Sequence, residues 1–117
     1  MNNRKSVETK YGLADSEIVS FKSEDFNLIV YLQAWNGNIL KVEFKDCIYF
    51  SNYQAGDISD ICENPSSPSL QLALDHKYQN IPSDHGYKAY QFLDLDDDPV
   101  IEVVSQGIII SKCEDKN

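Results

Sequence analysis

The sequence predicts an α+β domain framed by an antiparallel β-sheet, with its elements in the order β-β-β-α-α-β-β-β. Three observations support that reading. Apolar residues alternate with period two through residues 26–50, around an Asn36-Gly37-Asn38 turn. A second block with the same alternation, residues 87–111, follows a middle stretch whose apolar spacing is helical. Helices placed between two β blocks, rather than alternating with strands, argue for antiparallel pairing and against a doubly wound parallel sheet.

Residues 1–16 are polar except for Val7, Tyr11, Leu13 and Ala14, and are expected to form a flexible arm. Residues 17–112 then form a single domain, and residues 113–117 a mobile charged tail. Residues 17–21 (EIVSF) read as a first strand, closed by Ser23-Glu24-Asp25. In the hairpin that follows, a two-residue Asn-Gly turn would set Leu32 opposite Lys41 and Val30 opposite Glu43. A three-residue loop, Asn36-Gly37-Asn38, instead sets Ala34 opposite Leu40, Leu32 opposite Val42 and Val30 opposite Phe44, all on one face. Burial therefore selects the longer loop, with Gly37 or Asn38 as its left-handed residue. Ile29, Tyr31, Gln33 and Trp35 face the other way, against Ile39, Lys41, Glu43 and Lys45. Asp46 interrupts the alternation of Val42, Phe44, Ile48 and Phe50. That predicts a bend at Lys45-Asp46, with the carboxylate turned to solvent or to nearby amides.

Asp57 is positioned to cap a short helix that groups Ile58, Ile61 and Cys62 and stops before Pro65. Ser67 as N-cap with Pro68 at the first helical position opens a second helix. Its buried stripe is Leu70, Ala73, Leu74 and Tyr78, and Ile81-Pro82 ends it. Strands over residues 87–93, 100–104 and 108–111 complete the chain, the first two joined by an acidic turn, residues 94–99.

Charge narrows the function classes. The chain of 117 residues, enough for one core, carries 19 acidic against 10 basic residues, a net −9. Such a surface repels phosphate backbones and anionic headgroups, and Arg4 is the sole arginine, so nucleic acid and membrane are not expected partners. Cys47, Cys62 and Cys113 are odd in number and lie in no C-x-x-C, as expected of free thiols in a reducing compartment. With no signal peptide visible and no long apolar run, a cytoplasmic protein is expected.

Few residues offer chemistry. Asp94, Asp96 and Asp98 have the spacing of the first calcium-loop ligands, but Pro99 and Ser105 stand where glycine and the closing glutamate belong. His76 and His85 each follow an aspartate, without H-x-x-x-H company. No G-x-S-x-G and no glycine-rich phosphate cradle occurs. Aromatics remain: Tyr31, Trp35, Tyr49 and Tyr53 combine large apolar area with a polar handle, the chemistry of interface anchors.

The sequence thus describes a small acidic protein, not an enzyme and without a cofactor, that acts through a protein partner or by self-association. Tyr31, Trp35, Tyr49 and Tyr53 are its candidate contact residues. A basic partner suits its charge, as for an inhibitor or immunity-type protein. The competing expectation is a small metal-dependent hydrolase or cation-binding domain using His76, His85 and the Asp94, Asp96, Asp98 turn.

Overall fold

Alternating apolar residues give every strand one face to bury, and two sheets can bury those faces against each other. The computed structural model, which describes residues 4–53 and 56–113, is built this way. Its strands are β1 (Lys5–Ser6), β2 (Ser16–Glu24), β3 (Asn27–Gln33), β4 (Ile39–Lys45), β5 (Tyr49–Asn52), β6 (Asp57–Ile58), β7 (Asp60–Glu63), β8 (Lys88–Leu93), β9 (Pro99–Ser105) and β10 (Gly107–Lys112). The one helix among the described residues is α1 (Pro68–Lys77). Two five-stranded antiparallel sheets result, ordered β1-β7-β8-β9-β5 and β10-β4-β3-β2-β6. Among the described residues no helix is long and apolar enough to cross a membrane.

The core lies between the sheets. Val30, Leu32, Val42 and Phe44 of one sheet pack against Ile61, Phe92, Ile101 and Val103 of the other, all fully buried. The Phe44 ring centroid lies 5.6 Å from Tyr90 and 5.9 Å from Phe92. A smaller cluster sits outside the first sheet, where Ala73 and Leu74 of α1 cover Ala89, Val104 and Tyr87.

The expected two-helix order is corrected to one helix. Ile58, Ile61 and Cys62 share helical spacing, yet Asp57 opens β6 rather than capping a helix. The chain leaves one sheet at Ile58 and joins the other at Asp60. Ser59 makes the crossing, its amide and hydroxyl both donating to the Leu93 carbonyl and the hydroxyl also to that of Asp94. Two short strands around such a kink leave the same three-residue apolar spacing as one helical turn.

The second helix starts as expected, with Ser67 Oγ accepting from the Ser69 amide and Pro68 in the first turn, but it ends at Lys77, before Ile81-Pro82. Residues 4–16 are tied down in places. Lys5 and Ser6 pair with Glu63 and Cys62, and Leu13 is buried in the core. At the far end, Cys113 donates its amide to Ile39, and the rest of the expected tail lies outside the described residues.

The hairpin is displaced by two residues from the expected register: Leu32 faces Leu40, Val30 faces Val42 and Leu28 faces Phe44. The loop is Trp35-Asn36-Gly37, closed by Ala34 donating to the Asn38 carbonyl and Gly37 donating to that of Ala34. Gly37, at φ +88, is the left-handed residue. A shift of two preserves side-chain parity, so the same residues face inward with different partners. Burial cannot distinguish the two registers, and the turn decides. The chain does bend after Lys45, with Asp46 left-handed at φ 49, but its carboxylate accepts from the Tyr87 hydroxyl at 2.6 Å instead of facing solvent or amides.

Candidate functional site

The two outer faces of the sandwich differ in what lies on them. On the first, cross-strand pairing aligns Cys62, Gln91, Glu102 and Ser51 in one row. Glu102 holds the start of α1 there. Its carboxylate accepts from Ser67 Oγ at 2.5 Å, from Ser69 Oγ, and from Gln91 Nε2 at 2.6 Å. A carboxylate at a helix N-terminus also complements the helix dipole. Gln91 Oε1 accepts in turn from Asn64 Nδ2 at 3.3 Å. Ser67, Ser69 and Gln91 are buried and bonded, so this network is a structural pin with its polar groups satisfied. Burial chiefly pushes the Cys62 thiol up to about 11, far from an activated thiolate.

Among the described residues no helix covers the second outer face, since α1 packs on β8 and β9. Cross-strand rows on it read Lys22–Ile29–Glu43–Ile109 and Ser20–Tyr31–Lys41–Ser111. Lys45 bridges to Glu43 at 3.2 Å across part of this surface. Trp35 stands at one end, 72% exposed. The turn places it there: the three-residue loop puts Trp35 at its first position, where no inward face exists. A Cβ on Gly12 would lie 3.9 Å from Trp35 Nε1, so the indole rests over the Gly12 backbone.

Beside the indole is an open hollow of about 340 Å³ lined by Asp15, Glu17, Gln33, Ala34, Trp35, Gly37 and Asp57. Its charged residues are all acidic. Glu17 lies directly opposite Asp57, and like charges in a cross-strand pair repel. None of these three carboxylates forms an ion pair among the described residues, where the pairs are Lys22–Glu24, Lys45–Glu43 and Lys88–Glu63. Between them, Ser16 buries a hydroxyl with no hydrogen-bond partner. The site therefore combines an exposed apolar plate with uncompensated negative charge.

The four aromatic residues singled out from the sequence do not form one patch. Tyr31 and Trp35 belong to the open sheet, Tyr31 half-buried and Trp35 exposed. Tyr49 belongs to β5 on the other sheet and packs in the small cluster under α1. Tyr53, 74% exposed, follows β5, its amide donating to the Val100 carbonyl. Nor do His76, His85 and the acidic turn converge. His76 is exposed on α1. His85 precedes β8, its Nδ1 accepting from the Tyr87 amide, whereas Asp94 follows the far end of that strand.

The aspartate spacing of the acidic turn is explained by its backbone. Asp94 Oδ1 accepts from the amides of Asp96 and Asp98, each at 2.9 Å, and Asp97 takes the left-handed position at φ 63. Among the described residues no group of three or more potential ligands is placed to hold a metal ion.

Two features went unnoticed in the sequence. Phe26, 78% exposed, lies in the tight turn after Asp25 and borders a hollow of about 610 Å³ with Asn27, Asp46, Cys47, Ile48 and Lys77. An apolar residue flanked by Asp25 and Asn27 in a turn was the available signal. The second is the Asp46–Tyr87 bond, where burial and then the carboxylate acceptor push the Tyr87 hydroxyl well above its ordinary value. No short-range pattern joins residues 41 positions apart. Burial likewise raises Cys47, whose thiol donates to the Tyr49 carbonyl at 3.3 Å.

Comparison with protein-family models, curated proteins and solved structures returns no match to this chain.

Proposed function

We propose that this protein is a non-enzymatic binding module that engages a basic protein partner through Trp35 and the carboxylates of Asp15, Glu17 and Asp57. The observation that carries the reading is the juxtaposition of a 72% exposed tryptophan with a hollow whose charged residues are all unpaired acids. A lysine or arginine side chain entering beside Trp35 would neutralise the Glu17–Asp57 pair and lie against the indole face. The net charge of −9 would speed encounter with a basic surface, and the buried indole would slow release.

Because Trp35 is the sole tryptophan, its fluorescence reports the site directly. Titration with a lysine-rich peptide of extended conformation should perturb the emission, and added salt should weaken the effect. The double variant Glu17→Gln, Asp57→Asn should lose most of the response while remaining folded. An emission that ignores the peptide, or a response unchanged in the double variant, overturns the reading.

A further inference from the structure

The four sheet edges are unequal. β1 and β6 are two residues long and β5 is four, too short to template a strand. β2 also runs free beyond its two residues of pairing with β6, but that stretch carries Lys22, Glu24 and a register shift between Ile18 and Ser20. β10, by contrast, is six residues (GIIISK) with three consecutive isoleucines and no carboxylate. Natural sheets guard such an edge with charge, proline or a bulge, and β10 has only Lys112 near its end. Ile109 is 49% exposed on the outer face, and Ile108 and Ile110 are only partly buried at the rim of the core.

The backbone phase follows from the ladder with β4. Cys113 donates its amide to the Ile39 carbonyl, so alternate residues, Ser111 and Ile109 among them, direct their groups to β4. Ile108, Ile110 and Lys112 direct their N–H and C=O groups to the free edge.

We propose that two copies of this chain pair antiparallel through β10, with Ile109 on the two-fold axis, joining two five-stranded sheets into one. The isoleucine block is self-complementary in that register. Ile108 of each copy lies opposite Ile110 of the other, so the two residues with outward groups exchange both hydrogen bonds, and the pattern repeats across the axis. The six isoleucine side chains then meet one another on both faces. A second copy suits this edge because two chains of net −9 meet along a strand that itself carries no acidic residue, Glu43 of β4 lying across from Ile109. The Trp35 surface takes no part, and the pairing is independent of the reading given for it.

Light scattering over a concentration series from micromolar to near-millimolar tests the pairing. The mass should rise from the monomer value of 13.3 kDa towards twice that value. Ile109→Lys, which sets two ammonium groups face to face, should hold the protein at monomer mass, and so should Ile109→Glu. Mixing those two variants should restore the dimer, because the axis then joins opposite charges. Trp35→Ala should dimerise as the wild type does. A wild type that stays monomeric throughout overturns the proposal. So does an Ile109→Lys variant that still dimerises, a mixture that fails to associate, or a dimer lost in Trp35→Ala.

Discussion

On the side covered by α1, Ala89 and Val104 are fully buried, and Glu102 anchors the helix through two serine hydroxyls and a glutamine amide. On the open side, Ile29 is only 2% exposed without any helix above it. Its cross-strand neighbours there are Lys22 and Glu43, whose long stems can shield an apolar residue while their charges stay in water. One face is closed by an element of the chain and the other by its own side chains. Polar residues on the closed face are bonded to one another. At the Trp35 end of the open face Asp15, Glu17 and Asp57 form no ion pair among the described residues, and the proposed binding surface rests on that contrast.

Breaking the closed face should have the largest effect. Glu102→Ala leaves three donors without their shared acceptor and should cost about 3 kcal/mol, read from urea denaturation. The same face should weaken in alkali. The Cys62 thiol is raised from 9.0 to about 11 by burial, so its contribution is intact below pH 9 and is lost as pH climbs towards 11. Cys62→Ala should flatten the stability profile across that window, as followed by denaturation at a series of pH values.

The acidic turn should divide unevenly among its aspartates. Asp94→Ala removes the acceptor of two amides and should cost about 2 kcal/mol, whereas Asp96→Ala and Asp98→Ala should each stay within about 0.5 kcal/mol. A cation site would make all three matter, and only in the presence of the ion. Beside the Trp35 hollow the sign reverses: Ser16→Ala removes a buried hydroxyl that has no partner and should gain about 1 kcal/mol by the same assay. The smallest change is expected at the exposed indole, where Trp35→Ala should shift stability by no more than about 0.5 kcal/mol.

Period-two alternation made the long strands legible, because each needs one buried face. The Ser67-Pro68 start of α1 was legible because capping is local. Short strands were not. β6 and β7 turn around Ser59, and their apolar spacing matches a helical turn. The hairpin shows the limit of parity: it selects a face, while the partner of Leu32 depends on which loop residue goes left-handed. Tyr31 and Trp35 belong to the hairpin sheet, whereas Tyr49 belongs to the other sheet, because assignment to a sheet is a long-range matter. The lining of the Trp35 hollow comes from three segments, Asp15 and Glu17 at β2's start, the hairpin end, and Asp57, which only the fold brings together.

The most direct test of the contrast between the faces is amide chemical-shift mapping of the whole chain with a lysine-rich peptide. Asp94, Asp96, Asp97 and Asp98 crowd four carboxylates into five residues, so bulk electrostatics alone would draw the peptide to residues 94–98. If Trp35 and its neighbouring acids form the working surface, the shifts should concentrate at Asp15, Glu17, residues 34–38 and Asp57, and leave α1 unmoved. Shifts confined to residues 94–98, or centred on α1 and the strands beneath it, would contradict the account.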